Sequence, residues 1–256
     1  MSSVPADDRG WFELVLSNQP PLWELYADAF GGRVEEVGDV RAAVVPASPN
    51  RSFFNSVFYE DPESLIDALP RLAEIYDEAG VRAWTVWIPA SDDVARGALV
   101  EAGHTLDATP RAMGLDLTDL RLPDPDPEIE IRCEMDTEAC RRINEIAYGY
   151  PPGDFPPMKP MPETEIYLAD LDGDTVGTTL TWDRGDDVEI TFVAVLPEAR
   201  GRGVSGRILG KALEHEREGG KAASTLIATK LGRPVYEKLG YRDAGGLEMW
   251  ERRKSR

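Results

Sequence analysis

The sequence predicts an α/β chain of two domains, on three observations. Runs of β-branched and alternating apolar residues are interleaved with stretches whose apolar residues recur at helical spacing. The segment Leu122-Pro-Asp-Pro-Asp-Pro-Glu128 alternates proline with acid. Repeated prolines extend the chain and deny it ladder donors, so residues 122–128 read as a stiff linker between domains at 1–121 and 129–256. Finally, Val100-Glu-Ala-Gly-His104 resembles Glu237-Lys-Leu-Gly-Tyr241 at the equivalent place in the second half, which points to an internal duplication.

In the first half a helix is expected from about Trp11 to Phe30, then strands over Arg41–Val45 and Ser52–Tyr59. Pro62–Ala79 sets Leu65, Ile66, Leu69, Leu72, Ile75 and Tyr76 at helical spacing. Ala83–Ile88 reads as a strand, Asp92–Ala102 as a helix and Met113–Leu117 as a strand.

In the second half Glu130–Glu134 reads as a strand, followed by a helix from Asp136, an N-cap residue type, to Tyr148. Pro151 to Pro162 is proline-rich and reads as a surface loop. Ile166–Asp170 and Val176–Trp182 are strands joined through Asp172-Gly173-Asp174, and a second turn, Asp183 to Asp187, leads into the strand Val188–Leu196. Val204, Ile208, Leu209, Ala212 and Leu213 then form one apolar helix face. Ser224–Thr229, Arg233–Leu239 and Leu247–Arg252 read as strand, helix and strand, giving the order β-α-β-β-β-α-β-α-β.

Composition narrows the function classes. Hydrophobic residues at 42% and charged residues at 29% suit a soluble globular protein. No apolar run approaches the ~20 residues of a membrane span. The start, MSSVPADDRG, lacks the apolar core of a signal peptide, so a cytoplasmic location is expected. The two cysteines, Cys133 and Cys140, suggest neither a disulfide nor a metal site. A net charge of −19 argues against nucleic-acid binding. It would draw in a cationic substrate, although an acidic surface kept for solubility accounts for the charge more simply.

Against that acidic background the turn Arg200-Gly-Arg-Gly-Val-Ser-Gly206 stands out, set between a strand ending at Pro197 and an amphipathic helix. Glycines there let several N–H groups point at one anion, and the helix dipole and two arginines add positive charge. Gly201-x-Gly203-x-x-Gly206 spells a dinucleotide fingerprint. That fingerprint needs its strand to run directly into the first glycine and an acid at the end of the next strand. Here Pro197-Glu-Ala-Arg200 intervenes and the next strand ends in Ala228-Thr229-Lys230. No Gly-Lys-Ser/Thr follows, so a P-loop is excluded as well. The bland alternative is that the glycines only end a strand and start a helix.

Arg200-x-x-Gly203-x-Ser205, preceded by Val195-x-Pro197, resembles motif A of the GNAT superfamily of N-acetyltransferases, usually written Gln/Arg-x-x-Gly-x-Gly/Ala. Ser205 departs from the final small residue but still permits close backbone approach. Pro234-Val-Tyr-Glu-Lys-Leu-Gly-Tyr241 looks like the family's tyrosine-bearing helix, and the element order of 129–256 is similar to the fold. The resemblance implies two GNAT-like domains in tandem, each a mixed, mostly antiparallel central sheet flanked by helices. The first would be degenerate, since Glu60-Asp61-Pro62 stands where the glycine turn would be.

The resemblance also implies site residues. The main chain of Val193, Ala194 and Val195 would bond the pantetheine arm of acetyl-CoA, and Arg200, Gly201, Arg202, Gly203, Val204, Ser205 and Gly206 would hold the pyrophosphate. The family often has an Asn near Thr229 in contact with the cofactor, and that Asn is absent here. Glu189 matches the general base of histone-acetylating members, against the alternative of a surface carboxylate at a strand end. Asp187 and Glu165 are further candidates. Tyr236 matches the general acid to the CoA sulfur, against a packed aromatic. Trp182 and Tyr167 would line an acceptor pocket or pack in a core. His215 reads as part of a solvated helix face and His104 as a turn or interface residue.

The function implied is direct transfer of an acetyl group, in a ternary complex and without metal, to a primary amine of a small, cationic substrate. The expected partner is that small molecule, with neither nucleic acid nor membrane, for a monomer or homodimer. A non-catalytic acyl-CoA-binding module, a longer acyl group and a protein amino group as acceptor are the alternatives.

Overall fold

A computed structural model describes residues 4–254, so the first residues of the acidic N-terminal stretch lie outside the described residues. The helices are α1 (Asp8–Ala29), α2 (Pro62–Glu78), α3 (Asp93–Glu101), α4 (Thr137–Ala147), α5 (Val204–Glu218) and α6 (Arg233–Leu239). The strands are β1 (Arg33–Val37), β2 (Val40–Val44), β3 (Ser56–Phe58), β4 (Ala83–Pro89), β5 (Thr105–Ala108), β6 (Arg111–Asp116), β7 (Ile129–Cys133), β8 (Thr164–Leu171), β9 (Asp174–Arg184), β10 (Asp187–Val195), β11 (Ala223–Ala228) and β12 (Arg242–Arg253). Local chemistry accounts for several boundaries. Asp61, Asp92 and Asp136 each accept a bond from the backbone N–H three residues on and so cap α2, α3 and α4.

The chain forms two compact units. One contains the described residues up to Val15 together with Arg111–Ala244, and the other contains Leu16–Pro110 with Gly245 onward. In the first, the strand order is β6-β11-β10-β9-β8-β7. Every pair is antiparallel except β10 with β11. In the second, β1, β2, β3, β4 and β12 are neighbours in that order, with β3 and β4 parallel.

This division differs from the boundary read at 122–128. The proline–acid segment lies within the first unit, and each half of the sequence gives one strand away. Arg111–Asp116 pairs with β11, whereas Leu247–Arg253 pairs with β4. The apolar pattern of a strand states that it needs a partner but not which one. Trp250 is buried in the same cluster as Leu72, Val86 and Leu99, far from it in sequence, and that burial selects β4.

The expected strand over Ser52–Tyr59 is shortened for a local reason. Ser52–Phe54 is a 3₁₀ turn, because buried Asn55 uses its side chain to satisfy the loop. Its Oδ1 accepts from Val45 N at 2.8 Å, and its Nδ2 donates to Ser48 O and Arg51 O. β1 and β5 were not anticipated. Both are short and largely exposed, so neither shows an apolar alternation.

Candidate active site

The site is built where β10 leaves β11. Their parallel pairing runs from Asp187–Ala223 to Ile190–Leu226. Beyond it β11 continues along β6 to Ala228, while β10 turns aside. A bulge accompanies the turn: the β9 register skips between Thr191 and Ala194, and Phe192 adopts φ 49°. Leu196 N donates to Val176 O at 2.8 Å, so Leu196 and Ala194 direct their main-chain groups at β9. Val193 and Val195 therefore direct theirs the other way, on the side that β11 has vacated. Of the three residues expected to bond a pantetheine arm, Ala194 is thus committed to the sheet, opposite Thr178. The Val193 carbonyl accepts from Tyr148 Oη at 3.3 Å and the Val195 carbonyl from Arg200 Nε at 3.2 Å.

The glycine turn follows. Pro197–Ala199 forms a 3₁₀ turn, Gly201 and Gly203 both have φ 78°, and Gly203 is the N-cap of α5. Arg207 N bonds back to Gly203 O at 3.2 Å. The amides of Val204, Ser205 and Gly206 precede it and belong to the set that a helix start leaves without an intrahelical acceptor. Three guanidinium groups surround this turn. Arg200 also donates to Ala147 O at 2.7 Å, and Arg202 pairs with Glu128 at 2.9 Å. Arg207 reaches Arg202 O at 3.2 Å and Asp124 O at 3.1 Å. Sequence reasoning missed Arg207, although its place one helical turn after Gly203 is a usable signal.

Glu189 is 2% exposed and Asp187 5%. Thr225, directly across β11 from Glu189, contacts both carboxylates through its hydroxyl, at 3.1 Å and 2.7 Å. Glu189 is therefore a buried group within the paired stretch, just before the strands part, and not a surface carboxylate at a strand end. Glu165 sits elsewhere. Its neighbour Thr164 pairs with Trp182, which pairs with Glu189, so alternation puts Glu165 on the opposite face. There it accepts from Tyr167 Oη at 2.7 Å, and Tyr167 Oη lies 2.5 Å from His215 Nδ1 on α5.

Trp182 and Tyr167 consequently face opposite sides of the sheet and cannot line one pocket; both are buried, which leaves core packing, the other of the two expectations. Trp182 is on the Glu189 face with the Arg184 guanidinium 4.4 Å above its ring. His104 follows the turn at Ala102-Gly103 as expected, its N–H closing that turn on Leu99 O at 2.9 Å. It is buried in the second unit at 3% exposure, edge-on to Trp84.

Tyr236 is buried on α6, with its ring at 5.8 Å from that of Tyr241. Burial pushes its phenol above the ordinary value, and the Tyr148 phenol acts in the same direction. Tyr236 thus keeps its proton across the neutral range and is able to donate it. Both cysteines are free, Cys133 exposed and Cys140 buried. Burial raises the Cys140 thiol to about 12, which leaves it without nucleophilic thiolate. Among the described residues no helix is long and apolar enough to cross a membrane, and no cluster of three His, Cys, Asp or Glu is arranged to hold a metal.

Comparison with known proteins agrees with this geometry. A family model described as acetyltransferase (GNAT) domain matches residues 162–243. A solved GCN5-related N-acetyltransferase from Kribbella flavida is 18% identical, with 94% of this chain and 95% of that one covered and a TM-score of 0.72. A GCN5-related N-acetyltransferase from Sphaerobacter thermophilus is 20% identical over 84% of this chain and 76% of its own, with a TM-score of 0.60. A tandem GNAT protein from the clavulanic acid biosynthesis pathway is 14% identical over 88% and 81%, with a TM-score of 0.59. No curated protein matches the sequence.

Proposed function

Given that residues 162–243 carry a GNAT acetyltransferase domain, we propose that the chain moves an acetyl group from acetyl-CoA directly to a primary amine of a small, cationic substrate. The observation that carries this reading is the parting of β10 and β11 at Ile190–Leu226, immediately before a turn ringed by arginines. A strand pair that separates exposes main-chain groups in an extended row, and an extended amide-bearing arm satisfies them as a third strand would. Val193 and Val195 bond that arm. The amides of Val204, Ser205 and Gly206, with Arg202 and Arg207, hold the pyrophosphate at the start of α5.

The donor supplies an activated thioester, and the chain supplies the proton traffic. Glu189 removes a proton from the incoming ammonium, so that nitrogen has a lone pair with which to attack. Tyr236 donates to the departing sulfur. Steps of this kind each contribute about 10²- to 10⁴-fold. The carboxylates on the Glu189 face, in a chain of net charge −19, favour a cationic acceptor. Transfer within a ternary complex fits the raised Cys140 thiol. In this reading the N-terminal half is a degenerate GNAT-like domain, and the protein works in the cytoplasm.

A second reading, a non-catalytic acyl-CoA-binding module, is favoured by one observation, the burial of Glu189 at 2% exposure. Titration calorimetry with acetyl-CoA, together with thiol release across a panel of polyamines, amino acids and aminoglycosides, separates the two. Binding with turnover supports acetyl transfer. Binding without turnover on any amine supports the module, and absence of binding removes both.

A further inference from the structure

The proline-rich segment 151–162 turns side chains inward: Phe155, Met158 and Met161 are buried. Local chemistry holds it there. Glu145 on α4 is itself buried, and its Oε1 accepts from Gly153 N at 2.7 Å and from Phe155 N at 3.2 Å. Two main-chain N–H groups on one carboxylate oxygen tie the segment to the last turn of the helix. A row of rings then runs from the end of α4 back to β10. The centroids of Tyr148 and Tyr150 are 6.1 Å apart, those of Tyr150 and Phe155 6.2 Å, and those of Phe155 and Phe192 5.8 Å, the spacing of packed aromatic pairs. Phe192 is the bulge residue at φ 49°, a conformation that is costly for a bulky side chain. Its ring is buried against Phe155, so packing holds the bulge in place.

The row stands at a defined place along the open segment. Val193 and Val195 present main-chain groups on the side that β11 has vacated, and the glycine turn lies beyond Val195. A donor anchored at that turn therefore passes Val195 first and Val193 second. The next carbonyl back along the strand, Phe192 O, accepts from Asn144 Nδ2 at 3.4 Å and belongs to the contact with α4. After its last amide a pantetheine arm has only two methylenes and the sulfur before the acyl group. Those atoms arrive at the rings, and Tyr148 is the ring they meet. Its Oη donates to the Val193 carbonyl at 3.3 Å, and that oxygen keeps a second lone pair for the arm. Tyr148 is 49% exposed, whereas Phe155 and Phe192 are buried. The Tyr148 phenol also acts on that of Tyr236, the proposed acid to the sulfur.

We infer that Tyr148 selects a short acyl group, so that acetyl-CoA is taken in preference to thioesters of butyryl length or more. The inference rests on the acetyl-transfer reading and adds to it which donor the site admits. A longer chain extends past the thioester into the Tyr148 ring. Tyr150, Phe155 and Phe192, fixed by Glu145 and by their own packing, leave that ring little room to retreat, and a side chain forced out of a packed position is costly.

Titration calorimetry on the full chain with CoA, acetyl-CoA and hexanoyl-CoA reads the selection directly. Wild type is expected to bind hexanoyl-CoA about tenfold more weakly than acetyl-CoA, the scale of a moderate overpacking cost. Tyr148→Ala is expected to bring the two affinities within about twofold of each other, since the obstruction is gone. Tyr148→Phe keeps the ring without its hydroxyl and is expected to retain the wild-type ratio. Equal affinities in wild type, an undiminished ratio in Tyr148→Ala, or loss of the ratio in Tyr148→Phe overturns the inference. If Tyr148→Ala does not fold, as read from its thermal transition, Tyr148→Leu takes its place with the same two outcomes. Thiol release across the amine panel separates this inference from the reading beneath it. Discrimination in binding without turnover on any amine removes acetyl transfer and leaves Tyr148 as the selector of the bound thioester. Turnover with equal kcat/KM for acetyl-CoA and hexanoyl-CoA keeps acyl transfer and removes the selector. Absence of binding by all three ligands removes both.

Discussion

Gly177 on β9 lies directly beneath Val204, the first residue of α5. A Cβ at position 177 would come within 2.8 Å of Val204 Cγ1 and 3.3 Å of Ala169 Cβ. Val204 is 1% exposed, so it has no room to yield. The start of α5, and with it the proposed pyrophosphate cradle, is therefore set by the absence of a side chain two strands away in sequence. Gly177→Val is expected to destabilise the protein by about 1–3 kcal/mol, the usual cost of overpacking, and to weaken acetyl-CoA binding at least tenfold. Urea unfolding and calorimetry check the two effects. Native affinity in a folded Gly177→Val protein would detach the helix start from the cradle.

The Arg207 guanidinium lies over Gly203, in the space that a Cβ there would take. It also bonds the Arg202 carbonyl at 3.2 Å. Arg207→Met is expected to reduce acetyl-CoA affinity by about 1.5–3 kcal/mol, the range of a charged hydrogen bond. The loss should shrink for a CoA analogue that lacks the pyrophosphate. An equal loss for both ligands would assign Arg207 to structure alone.

Removing the Tyr236 hydroxyl tests the acid directly. Tyr236→Phe keeps the buried ring against Tyr241 and is expected to lower kcat about 100-fold, with the acetyl-CoA KM preserved. Burial raises the Tyr236 phenol, so its neutral form persists beyond pH 10 and no basic limb below that pH belongs to it. A kcat within a few-fold of wild type would make Tyr236 a packing residue.

His104 gives the second unit an acid sensitivity. Burial lowers its imidazole from 6.5 to about 4, with the charge of Arg252 adding to the effect. Neither ring nitrogen has a hydrogen-bond partner among the described residues. The folded state favours neutral imidazole, so the stability difference is absent above pH 6.5 as a penalty and grows as pH falls from 6.5 to about 4. Over that window the wild type is expected to lose roughly 3 kcal/mol from this group. His104→Phe should flatten the dependence, as measured by urea midpoints at pH 7 and pH 4.5. An unchanged slope in that variant would place the acid sensitivity elsewhere.

The sequence by itself determined the elements of 129–256, the cap at Asp136, and the arginine-flanked glycine turn before α5. Each of these is local chemistry: a carboxylate three residues from an N–H, a positive φ that suits glycine, an apolar face at helical period. What needed the tertiary structure was every fact about partners. Period-two alternation does not say which strand lies beside which, so the exchange of Arg111–Asp116 and Leu247–Arg253 between units was invisible in the sequence. Nor did Glu189, Asp187 and Glu165 carry any mark of their surroundings. Strand register placed the first two against Thr225 and sent Glu165 through the sheet to Tyr167 and His215. A pleat has two faces one residue apart, and only the packing of a helix or strand against each face decides which becomes a site.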